Sequence, residues 1–143
     1  MPITSITDAR DEILDHFTTA WNAQTPPVPL LLYGDKHTDL PDDAPFARIT
    51  VVHGPSEQVS VGGETGNRRF RRFGVITVQI FALAGDGLSS ADSFAKIALD
   101  AFEGDKTGLD RVTFRNVRIN EVGEDGPWMQ VNVLADFDWD TVK

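Results

Sequence analysis

Cysteine is absent from this 143-residue chain, so a disulfide framework, a thiolate metal site and a cysteine nucleophile are all excluded, and the redox compartment is left open. Long apolar runs are missing too. The longest, such as PLLLY at 29–33, fall far short of a bilayer span, and the N-terminal MPITSITDARDEIL has no basic region followed by an apolar one. The chain therefore reads as cytosolic, with no membrane partner. Positive charge is scarce: 13 Lys and Arg face 22 Asp and Glu, a net charge of -9, which opposes any affinity for nucleic acid built on phosphate neutralisation. Compact metal-ligand spacings and the Gly-x-Ser-x-Gly turn of a serine nucleophile are also lacking. These absences point away from an enzyme and away from any cofactor.

What is present fits one domain over residues 1–143, with 41% hydrophobic and 24% charged residues and the glycines and prolines spread over separate turns. Residues 6–21 place Ile6, Ala9, Ile13, Leu14, Phe17 and Trp21 at helical spacing, with Asp8, Asp11, Glu12 and Asp15 between them and Thr4 or Ser5 as cap. Prolines 26, 27 and 29 end that helix and lead into a short strand at 30–33. The polar stretch 34–45, GDKHTDLPDDAP, reads as an exposed loop suited to meeting a partner. Alternation over 46–53 and at Val59 and Val61, around a turn at Gly54-Pro55-Ser56, predicts a hairpin.

A long strand follows over 68–83, with Phe70, Gly74, Ile76, Val78, Ile80 and Ala82 on one parity. Leu88, Ala91, Phe94, Ala95, Ala98, Ala101 and Phe102 then form a second helical stripe, capped by Ser89 or Ser90 and closed by Gly104. Residues 128–140 alternate most cleanly: Met129, Val131, Val133, Ala135, Phe137 and Trp139 against Gln130, Asn132, Asp136, Asp138 and Asp140. The partner strand, 111–122, is joined to it by a hairpin loop at Gly123–Gly126. It changes parity between Phe114 and Val117, which predicts a β-bulge near Arg115 or Asn116. The order gives an α+β fold, a mainly antiparallel sheet with two helices on one face and a projecting β-hairpin.

Few constellations could carry chemistry. Asp136, Asp138 and Asp140 point the same way at intervals of about 6 to 7 Å. They could hold a hard cation, share one between subunits or meet arginines there, but carboxylates along a straight strand do not converge as a calcium or magnesium site requires, and a solvated strand face accounts for them. Asp35, His37, Asp39 and His53 are the one histidine-carboxylate set, the basis of a metal-dependent hydrolase reading; exposed loop histidines are the plainer account. His16 reads as a helix-surface residue without an acid or base partner. The glycines of 62–66 form a flexible hairpin tip that precedes a strand and lacks the Gly-Lys-Ser/Thr ending, so they make no phosphate loop, and Asp86 disfavours a phosphate at Gly85-Asp86-Gly87.

The least expected feature of an acidic chain is the run Arg68, Arg69, Arg71 and Arg72, interleaved with Phe70 and Phe73. Three readings compete. The run could contact nucleic acid, it could be an arm docking on Asp136, Asp138 and Asp140 of a neighbouring copy, or it could be a strand edge kept from aggregating by charge.

Phe46-Ala47-Arg48 opening a strand, a Gly-rich hairpin, the run 72–81 (RFGVITVQIF), Gly85-Asp86-Gly87 before a helix, and the ending Trp128-Met129-Gln130-Val131-Asn132-Val133 together resemble the phage tail-terminator-like family over nearly the whole chain. The resemblance implies a structural virion assembly protein of a phage or prophage particle: a homo-oligomeric, commonly hexameric ring at the head-proximal end of the tail tube. Such a ring stops tube polymerisation and joins the tail tube protein to the head-tail connector. It further implies assembly in the host bacterial cytoplasm, residence in the virion tail, and DNA passing through the lumen without specific binding. By the same resemblance, residues 59–73 would form an inter-subunit arm and the loop 34–45 would face tube or connector. Another neck or minor tail module is the alternative.

Overall fold

The computed structural model describes residues 3–25, 28–32, 44–60, 62–104, 106–107 and 111–143. Helix α1, Ile6–Asn22, begins where the Ser5 hydroxyl accepts the Asp8 N–H at 3.0 Å, and buries Ala9, Ile13, Phe17 and Trp21. Ile6, expected on that stripe, is 43% exposed, because the core contact starts one turn later. The Trp21 indole N–H donates to the Val28 carbonyl at 2.9 Å and so ties Val28 to the helix. Strand β1, Leu30–Leu32, then pairs parallel with the start of β2, Phe46–Gln58. The loop expected at 34–45 lies outside the described residues apart from its last two positions.

Strand β3, Arg69–Leu83, pairs antiparallel with β2 and, along its full length, with β5, Trp128–Val142; β4, Val112–Asp125, lies outside β5. The sheet order is β1-β2-β3-β5-β4. Helix α2, Leu88–Phe102, crosses from β3 to β4 over the same face that α1 covers. This is the α+β architecture that the sequence predicts.

Three local expectations change. Gly54-Pro55-Ser56 does not turn the chain: β2 runs through it with a register shift between His53 and Ser56, so the hairpin is β2–β3 and Val59 opens its loop. Proline lacks the ladder donor, and a bulge in the part of β2 that β1 does not reach accommodates it. Gly87, at φ 72°, takes the N-cap of α2 in place of Ser89 or Ser90, and Leu88 is left 56% exposed. Gly123 sits at a second irregularity of β4, and the β4–β5 turn is Gly126-Pro127. The parallel β1 in an otherwise antiparallel sheet agrees with the expected mainly antiparallel arrangement.

The bulge near Arg115 and Asn116 is present. The register shifts between Arg115 and Arg118, and Asn116 adopts φ 52°, a conformation asparagine tolerates better than most residues. The shift lets Phe114 and Ile119, of opposite parity, align with the core positions Phe137 and Val133.

The core consists of one parity from each central strand. Ala47, Ile49 and Val51 align with Ile80, Val78 and Ile76, which align with Val131, Val133 and Ala135. Against them lie Ala91, Ala95 and Ala98 of α2, whose small side chains let the helix approach the sheet closely, and the stacked rings of Phe17, Trp21 and Phe102. Gly74 stands opposite Phe137, and a Cβ there would overlap the Phe137 ring and the Val52 carbonyl. Only glycine leaves room for that ring.

Candidate interaction site

The helices leave the other face of the sheet uncovered, and β3 and β5 present on it the residues that the sequence singled out. Asp140 lies opposite Arg71, Asp138 opposite Phe73 and Asp136 opposite Val75. The row of aspartates is neutralised strand by strand within the chain. Arg71 forks onto Asp140, Nε to Oδ1 at 2.9 Å and a terminal amine to Oδ2 at 3.3 Å, with Arg69 at 3.7 Å. From β4, Arg115 reaches Asp138 at 3.6 Å while lying 5.1 Å over the Phe73 ring, and Arg118 reaches Asp136 at 3.2 Å. The β4 bulge makes the last pair, since it brings Arg118 to the open face and lets the Asn116 amide donate to Asp136 at 3.0 Å. That hydrogen bond, helped by Arg118 and Arg115, holds the Asp136 carboxyl below the usual aspartate range.

Among the described residues no group of three or more His, Asp or Glu is arranged to hold a metal ion. The aspartate row is an ion-pair ladder, and the arginine-carboxylate pairing that the sequence placed between subunits is made inside one chain for Arg69 and Arg71. Arg68 and Arg72 are not part of it. Arg68 donates from Nε to the Gly63 carbonyl at 3.1 Å, and Arg72 turns to the helix-side face, 5.7 Å from the Trp139 ring centre.

The histidines depart from expectation. His53 is half-buried on β2, with its ring edge-on to Phe137 and Trp139 at 5.1 and 5.8 Å. Its Nε2 accepts the Trp139 indole N–H at 3.1 Å, so the ring is neutral with its proton on Nδ1, and that buried atom has no hydrogen-bond partner among the described residues. Burial first, then Arg10 and Arg72, holds its pKa below 6.5. Nearby arginines in place of carboxylates are the opposite of a metal site. His37, Asp35 and Asp39 lie outside the described residues. His16 is half-buried instead of standing free on the helix surface: it donates from Nε2 to the Ala101 carbonyl at 2.7 Å and packs 5.2 Å from Phe114, bridging the two helices and β4.

Sequence reasoning missed a polar tie at the start of β4. Glu12 accepts from Arg111 at 2.7 and 2.8 Å and from the Thr107 hydroxyl at 2.6 Å, while that hydroxyl accepts the Val112 N–H at 3.2 Å. Nothing local flags it, because the partners lie about a hundred residues apart.

The sheet's free end is formed by the last residues of β2 and β5 and the first of β3. Residues 54–58 of β2 are all exposed, whereas alternate positions of β3 from Gly74 onward are buried. The β2–β3 hairpin therefore runs past the helix layer, and Gly62, Gly63 and Gly66 in its loop all have positive φ.

No family model matches the chain, and no curated protein does. A solved structure whose name states no function is similar in fold, with a TM-score of 0.65 at 21% identity, covering 94% of this chain and 97% of the other. The fold is thus shared end to end with a protein of the same size. No helix among the described residues is long and apolar enough to cross a membrane.

Proposed function

We propose that the chain is a structural assembly subunit of the tail-terminator type, acting by closing into a ring with copies of itself at the end of a phage or prophage tail tube. The observation that carries this reading is the arm: a charged β-hairpin that leaves the core unsupported and bears Arg68 and Arg72, which have no carboxylate partner among the described residues. An extended hairpin with its own unneutralised cations costs folding stability and is suited to a partner surface. The resemblance in sequence order adds the tail tube protein and the head-tail connector as the partners above and below the ring. A net charge of -9 per subunit would leave a lumen through which DNA slides without adhering.

Native mass spectrometry at high protein concentration, with and without millimolar magnesium, tests this. One closed species of discrete subunit number, a hexamer above all, is the expected result. A broad ladder of aggregates, or a monomer that remains monomeric when tube protein is added, would remove the reading.

A further inference from the structure

Many basic residues of the described part of the chain are matched internally, Arg48 by the Gln79 side-chain oxygen and Arg10 by the Val51 carbonyl, and others by carboxylates. Arg69, Arg71, Arg115 and Arg118 meet the three aspartates of the open face, Arg111 meets Glu12 and Lys96 meets Asp100. Arg68, Arg72 and Lys143 meet no carboxylate among the described residues, and they lie together. Arg68 and Lys143 exchange backbone hydrogen bonds of 2.9 and 3.3 Å, one rung beyond the pair Arg69 and Val142, and the Lys143 ammonium lies 5.4 Å over the Phe70 ring. Val142, which pairs with Arg69 on the opposite face of the same sheet end, is 43% exposed. The free end of the sheet is thus apolar and cationic at once, with arginine and aromatic side chains prominent, the composition of a docking face more than of a solvated edge.

Complementary charge occurs on the same chain in a different place. Asp8, Asp11 and Asp15 recur at three- and four-residue spacing on the outer side of α1; all are exposed and none forms an ion pair with a described residue. With Thr19, Ala20 and Arg111 they line a cleft of about 800 Å³, room for several side chains. The Arg111 charge there is already taken up by Glu12.

We propose that the basic end of the sheet docks on α1 of a second copy, with Arg68 and Arg72 entering the cleft beside Asp11 and Asp15. Two different patches of one chain make this contact, so it is heterologous and repeats around a ring. The inference rests on the ring reading above and gives it a surface. It also moves the arm's acceptor from the aspartates of β5, which are already occupied, to α1.

The test uses two full-length variants, Asp11→Lys/Asp15→Lys and Arg68→Glu/Arg72→Glu, whose changes lie at exposed or half-exposed positions. Circular dichroism checks that each folds as the parent does. Each alone is expected to need at least about tenfold more protein to assemble, since like charges then face each other. Mixed in equal amounts they are expected to recover the parent's assembly, because each reversed patch then meets a reversed partner in an alternating ring. Assembly of either folded variant at the parent's concentration, or failure of the mixture to recover, overturns the proposal while leaving the ring reading intact. A parent that is monomeric both alone and with tube protein overturns both. Should Arg68→Glu/Arg72→Glu lose retention of a single-stranded oligonucleotide yet assemble normally, the patch is a nucleic-acid face and the proposal fails.

Discussion

Along β5, Val133, Ala135 and Phe137 are fully buried, while Leu134, Asp136 and Asp138 between them stay half-exposed. The same alternation divides β3 into Ile76, Val78 and Ile80 on one side and Val75, Thr77 and Gln79 on the other. On the covered face, contact is by shape: rings, a glycine that accommodates one of them, and a helix of alanines. On the open face, contact is by charge, through arginines of β3 and β4 that meet the aspartates of β5 between them. The covered face gains its energy from apolar area removed from water. The open face gains little, because exposed ion pairs are screened and each typically contributes about 0.2–1 kcal/mol. One pair of strands therefore serves as a structural wall on one side and on the other as a surface held in order without being buried.

The largest effect expected from this contrast is at Phe137. Phe137→Ala should lower unfolding free energy by about 3–5 kcal/mol, the usual cost of removing a buried ring. Gly74→Ala alone should cost about 1–3 kcal/mol through overpacking. The two are directly opposite, so in the double variant the added methyl occupies space that the ring has vacated. Urea denaturation of all four proteins should give a loss clearly smaller than the sum. Additive losses would show that Gly74 is required by the Val52 carbonyl alone.

At the edge of the covered face, His53 is where the two regimes meet. His53→Leu leaves the Trp139 indole N–H without an acceptor and should cost about 1–3 kcal/mol above pH 7. The wild-type pH dependence follows from the lowered pKa. Below 6.5 the unfolded chain takes up the proton before the folded one does, so His53 destabilises the fold progressively as pH falls through its lowered native value. Above that window it contributes no slope. Stability curves for wild type and His53→Leu should therefore converge as pH drops from 7 toward 5, and curves that stay parallel would show that His53 takes up its proton equally in the folded and unfolded states, its native pKa not being lowered.

The covered face was legible in the sequence because period-two alternation is a direct image of a sheet with one side buried, as the residues from Met129 to Trp139 illustrate. The Asn116 bulge could be foreseen for the same reason: a single inserted residue leaves a visible change of parity. Gly54-Pro55-Ser56 misled because the same residues suit a turn and an edge bulge, and only the pairing of Ser56 with Arg72 decides between them. The candidate site was legible in its residues but not in its connections. Arg68, Arg69, Arg71 and Arg72 look alike in sequence, yet strand parity sends Arg71 to Asp140 and Arg72 to Trp139. The two carboxylate pairs from β4 depend on a register that no local pattern encodes.

The smallest expected effect tests whether the open-face ladder matters to folding at all. Asp140→Asn removes the charge partner of the Arg71 fork, and Asp136→Asn weakens the pairing with Arg118 while leaving an amide beside Asn116. Each should cost no more than about 1 kcal/mol at low salt, and less in high salt as screening removes the difference. The Asp136 contribution has a defined pH window: its native pKa is lowered from 3.8, so the stabilisation is complete above that value and is lost as pH falls through the lower one. Acid titration of the Asp136→Asn variant should therefore be flatter than wild type below about pH 4 and indistinguishable in slope above pH 5. A loss of several kcal/mol at neutral pH would mean instead that the ladder anchors β4 to the sheet, and the open face would then be as structural as the covered one.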